Sequence, residues 1–143
     1  MSIRENITNN VINTLKNADN PRFGLVSRDM VVLDKLSRQQ FPALYIETSD
    51  EERRNITMAG SFPGYRDATL TIRIIGWVSG AELDRQRNEL ISNVENTLNI
   101  DITRDGFALN TELTEITSDF IQDNYAKAEM IVEVYYKYLR GQA

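Results

Sequence analysis

The residues best spaced for chemistry lie in DITRDGFALNTE, residues 101–112. Asp101, Thr103, Asp105, Gly106 and Glu112 fall at positions one, three, five, six and twelve of a calcium-loop pattern. Carboxylates at that spacing suit a hard cation, and the glycine permits the sharp bend. Three features count against a cation. Thr103 stands where Asp or Asn is usual, Leu109 offers no side-chain oxygen, and the residues after Glu112 read as strand rather than helix. A helix-to-strand connection turning at Asp105-Gly106 accounts for the same letters, so no metal is expected. Asp50, Glu51 and Glu52 are the other acidic group. Consecutive loop residues do not converge on one point, and Arg53 and Arg54 offset their charge at once. A solvated loop is the expectation there.

Other chemistries lack their parts. The chain has no histidine, the commonest general base and transition-metal ligand, and no cysteine for thiol nucleophiles, disulfides or thiolate sites. Ser27, Ser37, Ser49, Ser61 and Ser79 therefore have no imidazole to activate them. Gly60-Ser61-Phe62-Pro63-Gly64 has neither the glycine spacing nor the lysine of a phosphate loop. Tyr135, Tyr136 and Tyr138 read as strand residues whose hydroxyls reach the sheet edge. Arg53, Arg54, Arg66 and Arg73, interleaved with Phe62 and Tyr65, could track a nucleic-acid strand by charge and stacking. The net charge of −5 and the neighbouring carboxylates oppose that. A protein partner suits mixed charge and aromatics better. No catalytic assignment, cofactor or enzyme activity is expected.

The elements that would position these residues follow from periodicity. At 143 residues, 41% hydrophobic and 26% charged, the chain reads as a single domain, 1–143. No run of about 18 apolar residues could span a membrane, and MSIRENITNN lacks the apolar region of a signal peptide, so secretion by that route is not expected. Ser2 and Glu5 form a capping box for a helix over 3–17, with Ile3, Ile7, Val11, Ile12 and Leu15 on one stripe. Pro21 closes that region. Met30–Leu33 suggests a short strand, and Phe41–Glu47 a strand opened by Pro42. Residues 49–66 read as a long hairpin arm or loop, within which Ile56–Met58 could pair briefly. Ser79 and Glu82 form a second capping box for a helix over about 81–98, with the stem of Arg87 along the core. Glu112–Phe120 is a further strand, followed by an Asp123-Asn124 turn.

Two segments alternate strictly. In 68–78, Ala68, Leu70, Ile72, Ile74, Gly76 and Val78 point one way; in 128–138, Ala128, Met130, Val132, Val134, Tyr136 and Tyr138 do the same. They are long for a domain of this size. The predicted fold is α+β: a mainly antiparallel four- to five-stranded sheet with two helices packed on one face. The opposite face carries Ile75, Trp77, Ile131 and Tyr135, a surface suited to covering by other subunits. These residues point to a scaffold or assembly protein.

The order of segments adds to this. An IREN amphipathic start precedes RDMVVLDKL, FPALYIETSDEE and the strand DATLTIRIIGWV. A helix carrying ELDRQRNELISNVENTL follows, and the chain closes on AEMIVEVYYKY. Over nearly its whole length this resembles the tail terminator (tail completion) proteins of long-tailed bacteriophages, the minor tail proteins of the lambda type. The resemblance implies a homo-oligomeric ring, commonly a hexamer, which caps the tail-tube protein, stops its polymerisation and presents a surface to the neck and head completion proteins. Genome DNA would pass through without specific binding, which an acidic lumen favours. It also implies a place in the virion, at the head-proximal end of the tail, after assembly in the host cytoplasm. The family has no short motif that carries residue roles across, so only regions are expected to form the subunit or tube interface. These are the arm, with Glu51, Glu52, Arg53, Arg54, Tyr65 and Arg66, and the face bearing Trp77 and Tyr135. A phage neck or baseplate adaptor of the same fold is the nearest alternative. A small carboxylate-based enzyme or ligand-binding domain is the alternative of a different class.

Overall fold

The computed structural model describes residues 2–55, 64–122 and 124–143. Helix α1 spans Ile3–Lys16. Strand β1 is Leu25–Ser27, β2 Ala43–Asn55 and β3 Tyr65–Ser79. Helix α2 covers Leu83–Leu98, and β4 (Asn110–Gln122) and β5 (Tyr125–Leu139) complete the fold. The five strands form one sheet in the order β1-β2-β3-β5-β4. Only β1 and β2 run parallel; every other pair is antiparallel. The architecture is therefore α+β with a mostly antiparallel sheet.

The even-numbered residues of β3 and β5 form the core face. Ile72, Ile74, Val132 and Val134 are fully buried there, beneath Ile7, Val11 and Leu15 of α1 and Leu90, Val94 and Leu98 of α2. Gly76 sets how closely α2 sits on the sheet. A Cβ at this position would come within 2.6 Å of the Leu90 side chain and 3.1 Å of that of Leu44.

Helix α1 begins as its sequence dictates, the Ser2 hydroxyl accepting from the Glu5 N–H at 3.1 Å. The reciprocal half of the capping box is replaced, because the Glu5 carboxylate pairs with Arg28. The second capping box does not form. Ser79 remains the last residue of β3, opposite Tyr125, and α2 starts only after Glu82, which sits at φ 54° with no side-chain cap. Arg87 does lie in the core. Its guanidinium donates to the Asp119 carbonyl at 3.0 Å and to Asp84 at 3.1 Å, tying α2 to β4.

Met30–Leu33 is not a strand. The first strand lies earlier, at 25–27, and a short 3-10 turn begins at Leu33, leaving Met30 and Val32 exposed. Gly24 explains the placement. Its N–H donates to the Pro42 carbonyl at 2.9 Å, and a Cβ there would lie 2.4 Å from the Gln40 carbonyl carbon. Only a glycine lets the chain start β1 so close to the backbone leading into β2.

The described part of the arm is mostly strand. Residues 51–55 pair with 66–70 of β3 across a bulge between Thr48 and Glu51. Ladder bonds within the chain thus order this segment without a neighbour. Ile56–Met58 and Ser61–Pro63 lie outside the described residues, as does Asp123 of the expected turn. Among the described residues no helix is long and apolar enough to cross a membrane.

Candidate functional site

The sheet face opposite the two helices is built from cross-strand rows. Trp77 lies between Ala43 and Lys127, Ile75 between Tyr45 and Glu129, and Arg73 between Glu47 and Ile131. Arg73 donates through Nε to Glu129 at 2.9 Å and through Nη1 to Glu47 at 3.1 Å. The Tyr45 hydroxyl donates to Glu47 at 3.0 Å and the Tyr135 hydroxyl to Glu133 at 2.7 Å. That bond, with partial burial, pushes the Tyr135 phenol up to about 12. Phe41 and Tyr125 stack with their ring centres 5.6 Å apart. Trp77 is only 8% exposed and Ile75 is equally withdrawn. The expected bare apolar surface is therefore withdrawn from solvent at Trp77 and Ile75.

The bulge in β2 divides the arm residues between the two faces. Glu51 and Arg53 turn to the helix side, opposite Leu70 and Ala68; Glu52 and Arg54 turn away, opposite Thr69 and Asp67. The Glu51 side chain is 3% exposed. It accepts from the Tyr136 hydroxyl at 2.6 Å and from Arg53 Nε, with Arg4 at 4.0 Å. The Arg53 guanidinium lies 5.2 Å from the centre of the Tyr138 ring. Burial first, and then the bond to Glu51, push the Tyr136 phenol well above its ordinary range. Two of the residues expected to face a neighbour thus direct their charges inward. Arg54 pairs with Asp67 at 3.8 Å on the surface, Tyr65 is exposed beside Lys137, and Arg66 lies opposite Tyr138. The structure brings Glu51 and Arg53 together and leaves Glu52, Arg54 and Tyr65 outward. Trp77 and Tyr135 lie on the opposite face from Glu51.

Residues 101–112 use their oxygens internally. Asp101 Oδ1 accepts from the Thr103 N–H at 3.1 Å and its hydroxyl at 2.8 Å, and Oδ2 accepts from the Asp105 N–H at 2.7 Å. The bond from Asp105, then that from the Thr103 hydroxyl, hold the Asp101 carboxyl below its usual range. Arg104, Asp105 and Gly106 all take positive φ, which reverses the chain. Glu112 lies on β4 across from Glu133 and accepts from Asn110. Among the described residues no three acidic, histidine or cysteine side chains are grouped to hold a metal. Arg104, a residue the sequence reading passes over, is fully buried and donates to the carbonyls of Leu98 and Asp101. It closes the C-terminal end of α2, where backbone carbonyls lack helical partners. Burial holds its guanidinium below the usual range, opposed by Asp101.

The sequence reading also missed a set of exposed apolar side chains on β4 and in the turn leading into it. Ile100, Ile102, Phe107, Leu109 and Ile116 are all exposed. Their signal was present as isolated apolar letters in a polar turn, but nothing local marks which of them remain uncovered. The sequence matches no protein-family model and no curated protein.

Proposed function

We propose that the chain is a structural subunit of a ring that terminates the tail tube of a long-tailed phage. One observation carries the reading furthest: a single sheet in which four strands run 13 to 15 residues, with both long helices on one face. Its other face is stiffened by the Arg73 ion pairs and the Tyr135 and Tyr45 hydrogen bonds. Such a surface suits broad contact with other protein chains, and its closely packed, mutually bonded side chains leave few groups for turnover chemistry. The resemblance in segment order supplies the more specific assignment. In this reading the chain joins copies of itself, the tail-tube protein and the neck proteins at the head-proximal end of the tail in the virion, having assembled in the host cytoplasm. An excess of acidic over basic residues keeps the passing DNA from adhering.

Imaging tails assembled with and without this chain tests the proposal. With it, tails have uniform length and carry heads; without it, they are overlong or headless. Tails of normal length that fail only to join heads would favour a neck adaptor. Tails unaffected by its absence would overturn the assignment.

A further inference from the structure

We propose that the β4 edge of one copy docks head-to-tail against the β1 edge of the next. The inference rests on the ring reading and supplies its interface. Strand β4 ends the sheet, and it pairs only with β5 among the described residues. A 13-residue edge of this kind is a template for association. The segment carries exposed apolar side chains, Ile116 (48%) on the strand, Leu109 (61%) just before it, and Ile100, Ile102 and Phe107 in the turn leading into it. It is also acidic. Residues 100–119 hold five carboxylates and a single basic residue, Arg104, which is buried.

The opposite edge has the complementary character. Residues 22–38, which contain and flank the three-residue β1, hold four cations against two carboxylates, and of the four Arg28 is paired with Glu5 of α1. Arg22, Lys35 and Arg38 are exposed, as are Met30 and Val32. Arg22 and Arg38 also line a cleft of about 380 Å³ that opens between this segment, the end of β3 at Val78 and Ser79, and Glu89 and Leu90 of α2. The two edges of one sheet therefore oppose each other in charge, and each offers apolar side chains.

Strand direction fits the same arrangement. β1 runs parallel to β2, and three antiparallel steps separate β2 from β4, so β4 is antiparallel to β1. Copies set side by side with their sheets in the same sense bring β4 of one antiparallel to β1 of the next. Such a heterologous contact generates a ring when its rotation closes. Twofold pairing of β4 with β4 would instead crowd Glu112 and Glu115 against the acidic edge of the other copy, which like-charge repulsion opposes.

The experiment compares Glu112→Lys/Glu115→Lys and Arg22→Glu/Arg38→Glu with the unaltered chain by light scattering, with circular dichroism as the check on folding. The unaltered chain is expected at about 100 kDa, six chains of 16.4 kDa. Each reversed protein should fall about sixfold in mass at low salt while keeping its helix and sheet signal. Mixing the two reversed proteins should restore the ring, because each then meets its complement on both sides. If either reversed protein keeps the full mass, the edge assignment fails and the ring reading stands. A monomeric unaltered chain overturns both. A twofold dimer insensitive to Arg22→Glu/Arg38→Glu overturns the head-to-tail contact. If a reversed protein loses its folded signal, Ile116→Thr and Leu109→Ser take its place, and an undiminished mass in both rejects the proposal.

Discussion

Glu51 shows how far a residue's meaning depends on which face of a strand it occupies. In the sequence it is one acid in a charged run; in the fold it joins β2 to β5 through Tyr136 and to its own strand through Arg53. Glu51→Ala is expected to destabilise the protein by about 1–3 kcal/mol, since it leaves the Tyr136 hydroxyl unpaired in a buried place. Glu51→Gln, which can still accept from Tyr136, should cost less, and urea denaturation distinguishes the two. Asp101 gives a pH signature. Its carboxyl titrates lower in the fold than the ordinary 3.8, so the stability it contributes is present above that value and is lost as pH falls through the folded value. Melting temperature should therefore decline more steeply in acid for the unaltered chain than for Asp101→Asn. Equal acid slopes would show that the turn is indifferent to this charge.

At the scale of elements, β3 does most to hold the molecule together. It pairs along nearly its whole length with β2 on one side and β5 on the other. Its even-numbered side chains meet both helices, and Gly76 allows Leu90 to approach closely. Ile74 is fully buried opposite Ile46 and Met130. Ile74→Ala should therefore cost about 2–5 kcal/mol, the range for a large-to-small change in a packed core. A thermal midpoint that does not move would mean this face is not the core. The distal half of β2 is held differently. Its charged side chains and bulge leave ladder bonds and the Glu51 cluster to carry the pairing, so its opening should precede loss of the Ile74 layer in hydrogen exchange.

Across the whole molecule, charge and apolar surface are divided by position. One sheet face is core, the other carries the Arg73 ion pairs, and among the described residues the exposed large apolar side chains lie mainly in the segments next to β1 and β4 in the chain. A solitary domain gains nothing from Ile100, Leu109 and Ile116 lying beside an open 13-residue strand. Arrayed copies would cover them. The molecule's recognition surface in this reading is therefore lateral, and the ion-paired face is left for a flat partner such as the tail tube.

The sequence by itself determined the elements whose signal is local. Period-two alternation gave β3 and β5, the apolar stripe and Ser2 gave α1, and the stripe from Leu90 to Leu98 gave α2, because each pattern reports the face its own backbone must bury. Asp105-Gly106 marked its turn for the same reason. Only tertiary structure decided the rest. The polar letters of 49–55 carry no strand signal, and β2 continues through them because β3 supplies its ladder bonds and Tyr136 a buried donor for Glu51. β1 forms at 25–27, rather than 30–33, because Gly24 alone tolerates the backbone of Gln40 at that distance. The end of β3 at Ser79 displaced the second capping box, and Trp77 is withdrawn from solvent. Burial, pairing and open edges depend on which distant segments come together, and no window of the chain contains both partners.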